Sequence, residues 1–273
     1  MDNSASWRTA YATVIGSSHI ESDSPCQDYS LCKEFRTKDD ASVLVAVVSD
    51  GAGSVTHSLE GARLACDLFV TEIASMLERN GDLCFLDREW FIQWHMGWKQ
   101  TILDKATASG YQMREYACTF LATVIGPNEA FFIQLGDGAI VVRDTDNIDT
   151  YKHIFWPNQY EYANVTDLLT DENATEKIQF NSRQGYIDEV ALFSDGLQRI
   201  ALQMHPPEVH SPFFSRFFSP LRNLTPDLSE AASLSLNNLL SSECINEHTD
   251  DDKSLIIATR YSAAEYVENA EKE

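Results

Sequence analysis

Ser42-Val43-Leu44-Val45-Ala46-Val47-Val48-Ser49-Asp50-Gly51-Ala52-Gly53 reads as an interior strand that ends on an acid. Residues 43–49 are apolar or small and rich in β-branched types, the composition of a strand covered on both faces. Gly51 and Gly53 allow a tight turn, and an amphipathic helical pattern starts soon after. An ionised carboxylate at the edge of a dry strand is costly unless it is paired or bound to a cation. The plan recurs downstream as Val190-Ala191-Leu192-Phe193-Ser194-Asp195-Gly196. Asp50 and Asp195 are therefore delivered at the mouths of two buried strands, which points to one shared cation site.

Working outward from this run, residues 29–35 read as a strand headed by Asp28, and Lys38-Asp39-Asp40 turns it into the run itself. Asp28 then stands beside Asp50. Residues 9–15 alternate as a first strand, broken by the small polar turn Gly16-Ser17-Ser18-His19. After the glycine loop, Ala62, Cys66, Phe69, Ile73 and Leu77 recur at helical spacing, as do Phe91, Trp94, Trp98, Ile102 and Lys105. Residues 117–125, 130–135 and 139–143 read as a β-meander, with Asp137 in the Gly136-Asp137-Gly138 turn. From 151 to 186 the pattern is mixed and polar, which predicts loops and short elements. Proline and phenylalanine crowd residues 205–220, arguing for an irregular but packed segment. A helix over 228–240 and a strand over 255–261, preceded by Asp251, close the chain.

With 42 acids against 20 bases and a formal charge of −22, a nucleic-acid backbone or an anionic membrane is excluded as a partner. The six cysteines form no Cys-x-x-Cys pair, the pattern of reduced thiols in a cytoplasmic protein. No apolar run approaches about 18 residues, and the first residues lack a signal-peptide pattern. One monomeric domain over residues 1–262 with an acidic tail over 263–273 is expected.

Asp28, Asp50, Asp195 and Asp251 all stand at strand ends. Carboxylates with a backbone carbonyl and water are what Mg²⁺ or Mn²⁺ prefers. Two such cations about 3.5–4 Å apart bind a phosphate oxygen and activate water for in-line attack on phosphorus, which suits a phosphoester hydrolase. A dinucleotide-binding loop is the competing reading of Gly51-Ala52-Gly53, and it fails because Thr56 stands where a third glycine belongs.

Asp50-Gly51-x-Gly53, Gly136-Asp137-Gly138, Ser194-Asp195-Gly196 and Asp251-Asp252-Lys253-Ser254, in this order, resemble the metal-dependent type 2C serine/threonine protein phosphatases over roughly residues 9–260. The opening from Gly16 to Asp28 is similar to a bacterial branch close to the enterobacterial phosphatase C type. The resemblance implies an α+β fold, a four-layer αββα sandwich of two antiparallel sheets flanked by helices. It also implies a dinuclear Mn²⁺/Mg²⁺ site that removes phosphate from phosphoserine or phosphothreonine of a protein substrate, opposite a cognate kinase. Carried over, Asp50 bridges both metals, the Gly51 carbonyl binds one, and Asp195 and Asp251 bind the other. Asp28 acts through water, and Asp137 matches a ligand of a third metal.

Four departures set further expectations. Gln27 replaces an acid, Asp23 stands where the family places a phosphate-binding arginine, Ala52 replaces a histidine, and Arg199 replaces a third-metal acid. Asp137 is therefore expected to pair with Arg199 or to remain a turn residue, leaving two metals. Substrate phosphate then falls to Ser18 and His19, with backbone N–H groups of their turn forming an anion nest. His19 is also the candidate acid for the leaving oxygen, with His57 a weaker contender. Residues 205–220 are expected to act as a flap beside the cleft. The alternative function is a catalytically weak member that binds a phosphoprotein or kinase.

Overall fold

The run at 42–49 is a strand with every residue buried, and the layers of the fold follow from what covers its two faces. The structure, a computed structural model, describes residues 6–144, 147–156 and 166–261. The chain runs β1 (Ser6–Val14), α1 (Ser17–Glu21), β2 (Tyr29–Arg36), β3 (Ser42–Ser49), α2 (Ser58–Asn80), α3 (Arg88–Ser109), β4 (Phe120–Ile125), β5 (Glu129–Leu135), β6 (Ala139–Asp144) and β7 (Asn147–His153). It continues through α4 (Ala174–Lys177), β8 (Gln179–Gln184), β9 (Glu189–Phe193), α5 (Gln198–Ala201), β10 (Leu202–Gln203), β11 (Glu208–Val209), α6 (Ser211–Leu221), α7 (Ser229–Leu240), α8 (Glu243–Asn246) and β12 (Lys253–Tyr261). The acidic tail expected over 263–273 lies outside the described residues.

One five-stranded sheet has the order β1-β12-β9-β6-β7 and the other β2-β3-β4-β5-β8, while β10 and β11 pair apart as a two-stranded hairpin. Because strand side chains alternate, Val43, Val45 and Val47 of β3 pack with α2 and α3, while Leu44, Ala46 and Val48 meet Leu192 and Ile256 between the sheets. The outer layer on this side is aromatic: Phe69 of α2 meets Trp94 of α3 edge-on, ring centroids 5.3 Å apart. Asp87 starts α3 by accepting the Trp90 N–H at 2.7 Å. On the other sheet, α6 and α7 bury Phe214, Phe218, Leu236 and Leu240. Helices, two antiparallel sheets and helices give the four layers, as expected. Among the described residues no helix is long and apolar enough to cross a membrane.

Several local expectations are corrected. Residues 117–143 are not a meander: β5 pairs with β4 and β8, whereas β6 pairs with β9 and β7 in the opposite sheet. Gly136-Asp137-Gly138 is thus a crossover between sheets, and Gly136 makes it with φ +109°, a conformation that a side chain would strain. Part of the stretch 151–186 is strand, with β8 a polar edge that pairs with β5. The segment 205–220 contains a true helix, α6. Pro212 sits in its first turn and Pro220 in its last, where neither breaks it, and Phe213, Phe214 and Phe218 are buried at about 1.5–3 kcal/mol each. Lys105 leaves the inner face of α3, is exposed, and meets Glu60 at 2.6 Å, while Ala106 fills the buried position. The turn at 16–19 is the single-turn helix α1.

Candidate active site

β2 pairs with β3 so that Tyr29 faces Ser49, and the acids that flank this pair, Asp28 and Asp50, leave the same end of the sheet together. In the other sheet Phe193 faces Leu255, which sets Asp195 against the loop carrying Asp251. The approach is tight. A Cβ on Gly196 would fall 2.0 Å from the Asp252 carbonyl oxygen, so glycine is required after Asp195. Asp137 arrives on the crossover between the sheets.

Backbone and hydroxyl groups hold these acids in place. Asp50 donates its N–H to Thr119 Oγ1 at 2.9 Å and accepts the Thr119 N–H at 2.8 Å. Asp28 is buried, and its Oδ2 accepts the Ser194 hydroxyl at 2.7 Å while Ser194 Oγ accepts the Ser254 N–H at 2.9 Å. The serine of the Ser-Asp-Gly phrase therefore ties Asp28 of one sheet to strands of the other. Asp28 Oδ1 is buried with no hydrogen-bond partner among the described residues. Lys253, fully buried behind the loop, donates to Asn246 Oδ1 at 2.9 Å and to the Asp251 carbonyl at 3.3 Å.

Carboxylate oxygens of Asp50, Asp137 and Asp195 lie within 4.8 Å of one another. Burial first, and neighbouring negative charge second, pushes Asp195 up to about 8 and Asp50 well above the usual carboxylate range. Burial raises Asp28 to about 6 against the opposing hydrogen bond from Ser194, and burial also raises Asp137 and Asp251. A set of oxygen donors that repel one another, with a buried carboxylate oxygen left unpartnered beside them, fits a hard divalent cation.

Asp50, Asp137, Asp195 and Asp251 open into a cleft of about 460 Å³ lined also by His19, Gln27, the 51–54 loop, Thr119, Thr166 and Leu168, with Asp28 buried behind it. No lysine or arginine lines it among the described residues. His19 reaches the cleft from α1, its Nδ1 2.9 Å from Asp252 Oδ2. Asp252, which holds this contact to His19, is a residue beside the site that sequence reasoning passed over. It is the last of three consecutive acids, and its one distinguishing signal was its place directly before a buried strand.

Other candidates fall elsewhere. Ser18 gives both its N–H and its hydroxyl to the Asp250 carbonyl, at 3.0 and 2.8 Å, and does not line the cleft. The Gly16 N–H goes to Asp252 Oδ1 at 2.7 Å, so neither group supplies the expected nest. Asp137 does not pair with Arg199: its Oδ2 accepts the Thr166 hydroxyl at 2.5 Å, and its carbonyl accepts the Gln198 amide. His57 stacks on Tyr116 and borders a neighbouring groove instead of the cleft. Helix α6 is packed against the outer face of its sheet and is no flap over this site.

The sequence profile described as Protein phosphatase 2C matches residues 15–241. The chain belongs to the protein phosphatase 2C family. It is 36% identical over 253 residues to serine/threonine-protein phosphatase 3 of Escherichia coli K12, an alignment spanning 93% of this chain and 98% of that one. Solved structures share the fold at lower identity. Serine/threonine phosphatase Stp1 from Staphylococcus aureus superposes with a TM-score of 0.62 at 14% identity, covering 93% of this chain and 95% of that one. The catalytic domain of the serine threonine protein phosphatase PstP, in complex with two manganese ions, gives 0.59 at 13% identity, covering 95% and 100%. The phosphatase thus carries its acids on the sheet arrangement of this family, with a histidine and, among the described residues, no arginine facing its cleft.

Proposed function

We propose that this phosphatase hydrolyses phosphoserine and phosphothreonine in proteins, using Mn²⁺ or Mg²⁺ held by its acid cluster. The observation that carries the reading is the convergence of Asp50, Asp137 and Asp195 beside the unpartnered oxygen of Asp28. Asp50 would be shared by two cations, with the Gly51 carbonyl on one and Asp195 and Asp251 on the other. Asp137, which joins the cluster instead of pairing with Arg199, would serve a further cation. When bound, such cations draw in a phosphate oxygen and lower the pKa of water enough to give a nucleophile at neutral pH. Thr119 fixes the direction of Asp50, and Ser194 that of Asp28, which orients water through Oδ1. His19 offers the phosphate, or the leaving oxygen, a hydrogen bond from Nε2.

A catalytically weak binding module is disfavoured, because buried acids held against their mutual repulsion serve nothing without cations. Residues 1–262 acting as one domain with a tail over 263–273, a monomeric state, the cytoplasm as location and a cognate kinase as partner belong to the same proposal.

The test is phosphate release from phosphoserine and phosphothreonine peptides by the full chain. Release is expected with Mn²⁺ or Mg²⁺, is lost on chelation, and is not restored by Zn²⁺. Full turnover in a chelated sample would overturn the reading. His19→Ala is expected to lower peptide turnover at least about tenfold, with cation affinity by calorimetry unchanged. Unaltered turnover would remove His19 from the chemistry.

A further inference from the structure

We propose that Asp252 is a positioning residue that fixes the His19 ring with Nε2 facing the cleft, and so installs a phosphate contact in a cleft that no arginine lines among the described residues. The inference rests on the phosphatase reading above.

Asp252 is 3% exposed, and its carboxylate takes hydrogen bonds from three residues. Its Oδ1 accepts the Gly16 N–H at 2.7 Å, and its Oδ2 accepts the Gln27 N–H at 2.6 Å and His19 Nδ1–H at 2.9 Å. One carboxylate thereby joins the turn that starts α1, the residue preceding Asp28, and His19 within that helix. A carboxylate only accepts, so the proton of the shared bond sits on His19 Nδ1 and the tautomer is decided. Nε2 makes no hydrogen bond among the described residues and is not a buried orphan, which leaves it to the cleft that His19 lines.

Helix α1 cannot hold the ring unaided. It has five residues, buries none of them, and has no side-chain cap. Its attachments include the Gly16 bond to Asp252, the two Ser18 bonds to the Asp250 carbonyl and the Ser24 N–H bond to the His19 carbonyl at 2.8 Å, and none of these restrains the imidazole. Among the described residues the cleft is lined by acids, small residues, Leu168, amide and hydroxyl side chains, and His19, with no lysine or arginine. A doubly negative phosphate entering such a cleft needs a donor at a fixed place, and the bond to Asp252 provides the fixing.

A double-mutant cycle tests this, with Mn²⁺ at saturation and both a phosphopeptide and a small chromogenic phosphomonoester as substrates. Asp252→Asn is expected to lower kcat/KM by a factor similar to that of His19→Ala, about tenfold, and to cost almost nothing further in the His19→Ala background. An Asp252→Asn loss of equal size in both backgrounds would show a purely structural role and overturn the proposal. If Asp252→Asn does not fold, His19→Asn and His19→Gln decide. Asparagine places an amide N–H where Nδ1 lies, keeping the bond to Asp252 while losing Nε2. Glutamine places its amide near Nε2. The expected result is a His19→Asn protein with parent Tm and cation affinity but the low turnover of His19→Ala, and partial recovery in His19→Gln. Parent turnover in His19→Asn would overturn the proposal. A parent chain inactive on every phosphoester with Mn²⁺ would instead refute the phosphatase reading.

Discussion

Asp50→Asn should slow phosphatase turnover roughly 10³-fold and at the same time raise the Tm of the cation-free protein. Two effects of one carboxylate are being separated. Asp50 lies within 4.8 Å of Asp137 and Asp195, and its carboxyl is held far above the usual range by burial and by the charges of Asp28 and Asp195. As the proposed shared ligand it supports both cations, and losing about 4 kcal/mol of transition-state stabilisation slows turnover roughly 10³-fold. Without cations the same group is a liability, and neutralising it should stabilise the fold by on the order of 2 kcal/mol. The Asp50 N–H and carbonyl bonds to Thr119 survive the substitution, so the loop is not released. Turnover of a phosphopeptide and thermal melts in chelator measure the two effects. Near-parent turnover in the variant, or a lower cation-free Tm, would refute the assignment.

The stability of the cation-free protein should fall steeply as pH rises, the reverse of the common behaviour of ion-paired carboxylates. In the folded state Asp28 is raised to about 6 and Asp195 to about 8, against about 3.9 for an unfolded aspartate. Between those values the folded protein binds more protons than the unfolded one, so unfolding free energy decreases with pH. The stability these groups preserve is fully present below about pH 4 and is lost as pH passes the folded values. The loss should reach several kcal/mol between about pH 5 and pH 8.5. Mn²⁺ should reverse the slope, because it binds the deprotonated acids. The general repulsion of a chain with formal charge −22 also favours unfolding at high pH, so Asp195→Asn is the control that should flatten the curve. A flat or rising cation-free curve in the parent chain would contradict the crowding of these acids.

The strands that carry Asp50 and Asp195 were legible because a run covered on both faces has no polar alternation to confuse it, and a change to Asp-Gly marks its end. The pairing of Asp28 with Asp50 followed from a hairpin turn of a few residues. Topology was harder. Residues 130–143 have the spacing of a hairpin, and nothing local distinguishes a turn within one sheet from a crossover into the next, since the difference lies in what β6 finds to pair with. Helix α6 is masked by its proline content, although Pro212 and Pro220 stand at its two ends and Phe213, Phe214, Phe217 and Phe218 between them follow helical spacing. β8 was missed because an edge strand carries too few buried side chains to alternate clearly. Asp252 escaped because adjacent acids differ in burial only after the chain has folded around one of them.

The crossover through Asp137 gives the molecule an unusual sensitivity. Asp28 and Asp50 hang from one sheet, Asp195 and Asp251 from the other, and Asp137 from the span between them. The thickness of the oily filling between the sheets, set by Leu44, Leu192, Ile256 and their neighbours, is therefore also a distance between the proposed cation ligands. Thinning or swelling that filling by a methyl group would act as a tuning screw on cation affinity, turned from a place that neither substrate nor cation ever touches.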